Sequence, residues 1–132
     1  LIEFHGLVSR RDSIQLQHTA DVLLLVNAAL KEREGILTGK VFEYFASGAE
    51  IWGVNVESDS EIGDLLKSSG AGICFGNDSH AIAMRLISIL SGEKTRIVDR
   101  RFIERFSRKE LANRLLGYYK EYILHELKSD AN

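Results

Sequence analysis

The chain has 132 residues, 45% of them apolar and 27% charged, with a formal net charge of −2. This is the balance of a folded domain of ordinary size, and it excludes disorder as the main state. No run approaches the ~18 apolar residues of a membrane-spanning helix, and a pI of about 6.1 argues against a dedicated nucleic-acid binder.

The single cysteine, Cys74, has no second cysteine to bridge, which fits a reducing, cytoplasmic setting. The chain opens on Leu1-Ile2-Glu3-Phe4 with no signal-peptide pattern, and its only methionine is Met84. It reads as a piece of a longer protein. Proline is absent, where average usage of about 5% would give roughly six or seven.

In chain order, Leu1–His5 reads as a short strand ended by Gly6. Ser9 to Ala20 is polar with apolar positions at Ile14 and Leu16, which suits a short helix. The run Asp21-Val22-Leu23-Leu24-Leu25-Val26 suits a strand covered on both faces, as in a parallel sheet. Asn27 to Leu37 reads as loop. Thr38 to Gly48 reads as a helix, with Thr38 placed to cap its start and Gly48 its end.

Ile51–Val54 follows as a strand. Ser58–Ser69 then reads as a helix, with Ser58 and Glu61 in capping-box spacing and Gly70 as its stop. Gly72–Phe75 is a fourth short strand. Asp78 caps a helix that carries Ile82, Leu86, Ile89 and Leu90 and ends at Gly92. Asp99–Phe106 gives a further short helix. Ser107 and Glu110 open a long terminal helix with Leu111, Leu115, Tyr119, Tyr122, Ile123 and Leu127 near helical spacing.

Strands alternating with helices give an α/β class: a Rossmann-like, three-layer domain with a mostly parallel sheet. The expected division is a partial Rossmann-like domain over 1–106, its N-terminal units missing, and a C-terminal helix over 107–132. Ligands of such sheets bind outside the carboxyl ends of the strands. The segments to search are therefore Gly6–Ser9, Asn27–Lys40, Asn55–Glu61 and Gly76–Ser79.

Within them, Thr38-Gly39-Lys40-Val41-Phe42-Glu43 stands out. Glycine lets a ligand approach the backbone. The free N–H groups of a first helical turn, with the helix dipole, favour an anion such as a diphosphate. Lys40 adds a full positive charge. Glu43 lies on the same face and could accept hydrogen bonds from a ribose diol. The plainer reading is an i,i+3 ion pair between Lys40 and Glu43 on a solvated helix, worth a few tenths of a kcal/mol. Neither a P-loop nor a Gly-x-Gly-x-x-Gly fingerprint is present.

Four segments occur in order: Phe4-His5-Gly6-Leu7-Val8-Ser9, Ala20-Asp21-Val22-Leu23-Leu24-Leu25, Gly39-Lys40-Val41-Phe42-Glu43-Tyr44-Phe45-Ala46-Ser47-Gly48, and Gly70-Ala71-Gly72. Together they resemble the C-terminal, donor-binding half of GT-B glycosyltransferases of the retaining family 4 type, over about Phe4 to Leu90. The resemblance implies a transferase moving a sugar from a nucleotide diphosphate sugar to a saccharide or lipid-linked acceptor in cell-surface polysaccharide synthesis. In it Glu43 matches the carboxylate that holds the ribose hydroxyls, and Lys40 a basic residue near the diphosphate. Thr38 and Gly39 match the adjoining backbone, and Gly6, Leu7 and Val8 fall where the base is held. No cofactor and no metal are implied, so positive groups and helix N–H donors would stabilise the leaving diphosphate.

The implied partners are the nucleotide-sugar donor, the acceptor and an N-terminal domain of the same chain, with no nucleic acid. Without that domain the chain alone is expected to be inactive. Many family members carry a glutamate eight residues before the one matched by Glu43; here that position is Gly35, with Glu34 one residue out of register. The turn after Gly48, where proline is usual, is Ala49-Glu50. The alternatives are another GT-B enzyme, such as a nucleotide-sugar epimerase, and a non-catalytic nucleotide-binding α/β module.

Among the remaining residues, His5 reads as structural or exposed, and His18, His80 and His125 lack metal-ligand spacing. Cys74 and Trp52 read as packing. Arg10 and Arg11 read as a solvated helix start, with phosphate contact as the rival. Arg96, Arg100, Arg101, Arg105, Arg108 and Lys109, interspersed with acids, read as a solvated face, with peripheral contact to anionic membrane lipid as the rival. Tyr118, Tyr119 and Tyr122 read as a packing stripe.

Overall fold

The computed structural model describes residues 2–27, 39–93 and 97–129, with side chains described up to residue 125. Contacts divide the chain into two compact units, Leu1–Asp99 and Arg100–Asn132. The first unit is α/β, a small Rossmann-like domain. Its elements are α1 (Arg10–Thr19), β1 (Val22–Val26), α2 (Gly39–Ser47), β2 (Glu50–Val54), α3 (Glu61–Ser69), β3 (Gly72–Gly76) and α4 (Ser79–Leu90). The second unit is helical, with α5 (Arg100–Glu104) and α6 (Arg108–Ser129).

The three strands form a parallel sheet in the order β1-β2-β3. Leu23, Leu24 and Leu25 pair with Ile51, Trp52 and Gly53, and these in turn with Gly72, Ile73 and Cys74. Side chains alternate between the two faces of a sheet, so Leu25 and Ile51 share one face while Leu24, Trp52 and Ile73 share the other. The first face holds the core. Val41 and Phe45 of α2, and Ile62 and Leu66 of α3, are buried together with Leu25 and Ile51. Their i,i+4 spacing turns one stripe of each helix inward.

On the second face α4 supplies the cover over β2 and β3. Arg85 donates from Nε and Nη2 to Oε1 and Oε2 of Glu50 at 2.9 and 2.7 Å, and the Trp52 indole N–H donates to Glu50 Oε1 at 2.8 Å. The Trp52 ring meets Phe75 edge-on, with centroids 5.4 Å apart. Placing a carboxylate under a strand is tolerable because a fork-shaped cation and an indole N–H satisfy it.

Caps follow the sequence in most places. Ser9, Asp78 and Ser107 accept from Asp12 N, Ala81 N and Glu110 N at the starts of α1, α4 and α6. Gly70 closes α3 in a left-handed conformation, φ +61°. The start of α3 corrects the expectation: Ser60, not Ser58, is the cap, accepting from Gly63 N at 3.1 Å while its hydroxyl donates to the Glu57 carbonyl. The helix begins later because Glu57–Ser60 is a turn packed under Gly63. A Cβ on Gly63 would lie against the Glu57 and Ser58 carbonyl oxygens.

Two further expectations are corrected. Ile2–His5 is not a strand: the segment has no neighbouring strand to pair with among the described residues, and Ile2 and Phe4 are 81% and 93% exposed. An apolar run makes a strand only where a ladder satisfies its backbone. Among the described residues the sheet therefore has three strands, not four. Nor is β1 covered on both faces: Leu24 and Val26 are 54% and 62% exposed, because α4 packs at the β3 side.

Candidate functional site

In a parallel αβ unit the helices run back against the strands, so the N-terminus of α2 stands at the carboxyl rim of the sheet, where β1 ends. An open hollow of about 280 Å3 lies there, lined by Leu24, Leu25, Val26, Asn27, Lys40 and Ile62. Lys40 comes from the first turn of α2 and Ile62 from the first turn of α3. The two turns differ in charge. That of α3 carries Glu61 and Asp64, whereas that of α2 has no acid. Free N–H groups, the helix dipole and the Lys40 ammonium thus add together on the α2 side with no acid in that turn to offset them.

Gly39 begins α2, and an added Cβ there would meet none of the described residues within 4 Å. Packing among the described residues does not require this glycine. Gly72 is the contrast: a Cβ on it would run into the Ile51 carbonyl oxygen. No described residue covers the backbone of Gly39 on that side.

Glu43 lies one turn further along α2. With Val41 and Phe45 anchored in the core, Glu43 falls on the outer side and is exposed. It is not one of the hollow's lining residues. Its Oε1 lies 3.5 Å from Nη2 of Arg10, at the start of α1. Both side chains are well exposed, so this pair contributes little to stability. Arg10 is thereby brought beside Glu43, a neighbourhood that spacing in the sequence did not reveal. Burial, and then the adjacent Glu43 charge, raise the pKa of Tyr44.

Gly6, Leu7 and Val8 precede α1 on the exposed surface. Gly6 has φ +63°, a conformation that favours glycine, and Leu7 is fully exposed. Thr38, Gly35 and Glu34 lie outside the described residues. His5 is 3.6 Å from Glu3 in an exposed pair, and His18 Nδ1 lies 3.3 Å from the Ser47 carbonyl. Among the described residues no three His, Cys, Asp or Glu side chains group so as to hold a metal ion.

Ile62 lay outside the segments marked for search, and Asn27, the first residue of one of them, was not singled out, because nothing in either residue type signals a ligand. The Glu50–Arg85 pair escaped because its members are 35 residues apart and share no pattern.

Cys74 is partly buried on β3. Burial, and then the Glu57 charge, raise its pKa, so the thiol stays neutral in the fold. A raised folded pKa adds stability below the unfolded value and loses it as pH rises through the folded value. Thermal unfolding followed by circular dichroism should therefore show Tm falling above about pH 9.0, the ordinary thiol value, and Cys74→Ala should blunt that fall.

Comparison with protein-family models, with curated proteins and with solved structures finds no match to this chain.

Proposed function

We propose that the chain is the donor-binding part of a GT-B glycosyltransferase, and that the α2 end of the rim holds a nucleotide diphosphate sugar. The observation that carries this reading is the hollow beside Lys40 at the carboxyl rim, next to a helix start with no first-turn acid. Gly39 and Lys40 would hold the diphosphate through backbone N–H groups and the ammonium. Glu43, exposed one turn on, would take the ribose hydroxyls, exchanging its weak contact with Arg10 for two hydrogen bonds. Gly6–Val8 would meet the base. The specific chemistry comes from the ordered segments that resemble the family; the rim geometry agrees with it.

In the full enzyme the positive groups would stabilise charge on the departing diphosphate, a preorganised electrostatic contribution. A second domain would close over the donor, exclude water and align the acceptor. The chain alone would bind donor and not turn it over.

Gly39→Ala tests the reading. The site has room for the methyl group, so folding should be unchanged or stabilised by about 0.5 kcal/mol. Calorimetric titration with UDP, GDP and ADP should show the preferred nucleotide bound about tenfold more weakly, because the methyl group holds the phosphates off the backbone. Unchanged affinity in a folded variant would contradict the assignment of Gly39.

A further inference from the structure

Helix α6 carries an unusual exposed face. At about 100° per residue, Leu111, Leu115, Tyr118, Tyr119, Tyr122 and Ile123 fall within one arc of roughly 140°. None is buried: Leu115 is 70% exposed and the three tyrosines 62% each. Single exposed apolar side chains are ordinary, but a contiguous stripe over four turns marks a surface meant for a partner.

From Arg108 to His125 the charges around the stripe are sorted; one residue on, Glu126 takes a helical position within the stripe's own arc. Lys109 and Lys120 border one edge, and Arg114 and His125 the other, with Arg108 at its head. Glu110 and Glu121 sit on the opposite side, with Asn113, Gly117 and the exposed Leu124. Over α6 as a whole, Arg108–Ser129, there are five Lys and Arg against three Glu, although the whole chain has a net charge of −2. No helix among the described residues is long and apolar enough to cross a membrane.

We infer that α6 lies on an anionic lipid surface, apolar stripe down, with its basic borders at headgroup level. Three features favour a bilayer. Both borders are positive, so a second copy laid face to face would set like charges together in either orientation. The stripe is broad, unlike the narrow seam of a coiled coil. Its centre is tyrosine, whose ring and hydroxyl suit the boundary between acyl chains and headgroups. The inference is independent of the nucleotide site.

Co-sedimentation of the 132-residue chain with vesicles tests it. Vesicles of equal parts phosphatidylcholine and phosphatidylglycerol should retain the chain at low salt and release it as salt rises. Phosphatidylcholine alone should retain it about tenfold less. The triple variant Lys109→Glu, Arg114→Glu, Lys120→Glu changes only exposed positions and should lose at least about tenfold in partitioning. The salt titration of the unaltered chain gives the same answer without mutation. Retention by neither vesicle overturns the inference. So does equal retention by both, or a dimer in solution that Leu115→Ser with Tyr119→Ser dissociates.

Discussion

Arg85→Met should lower the unfolding free energy by on the order of 3 kcal/mol, the cost of removing one partner of a buried ion pair. Glu50 sits at the start of the central strand with its side chain 9% exposed, and the Arg85 side chain is 14% exposed. Methionine fills most of the volume but leaves the carboxylate without its guanidinium. Hydrogen bonding to Glu50 outweighs burial and raises the Arg85 pKa, so the guanidinium stays charged in the fold. For a domain whose whole stability is about 5–15 kcal/mol, that loss is severe. Urea unfolding read by Trp52 fluorescence reports it, since Trp52 donates to the same carboxylate. Adding Glu50→Gln should restore part of the loss, because the stranded charge goes with it. An Arg85→Met chain as stable as the original would mean that the pair is already solvated.

Glu43→Ala should act in the opposite manner, leaving the fold alone and removing affinity. Among the described residues its one ion pair is with Arg10, at 3.5 Å on the surface, so stability should change by less than about 0.5 kcal/mol. If the carboxylate holds a ribose diol, its loss removes charge-assisted hydrogen bonds worth about 1.5–3 kcal/mol, or about tenfold to a hundredfold in Kd for a nucleoside diphosphate. Glu43→Gln, which keeps an acceptor oxygen, should lose less. If Glu43 is only the partner of Arg10, both variants will bind as the original does. Calorimetry on the folded variants separates the two cases.

The elements of this chain were legible where local chemistry dictates them. Asp78, Ser107 and Gly70 punctuate helices through their own hydrogen bonds or φ angle, so their places could be read from residue type; the Ser9 cap of α1 emerged only in the structure. The apolar runs at β1, β2 and β3 were legible from composition, and their pairing in the ladder made them strands. What sequence could not supply were outcomes decided by neighbours. Ile2–Phe4 has the composition of a strand but no ladder beside it. Ser58 has the spacing of a cap, yet the turn packed against Gly63 gives that place to Ser60. The covering of β1 on one face depends on where α4 comes to rest.

The candidate site divides in the same way. Gly39 and Lys40 could be chosen because a glycine and a cation opening a helix have a physical meaning on their own. Asn27 and Ile62 line the same hollow only because parallel strands bring the start of two helices to one rim. Arg10 faces Glu43 across 33 residues of chain, a meeting of α1 and α2 that periodicity does not encode.

Amide NMR of the chain titrated with UDP, GDP and ADP tests the nucleotide site most directly. One of the three should shift the Gly39–Glu43 amides together with Leu7 and Val8, in a saturable manner, while inorganic phosphate moves only those of Gly39 and Lys40. Shifts absent from α2, or scattered over the surface without saturation for all three, would contradict it.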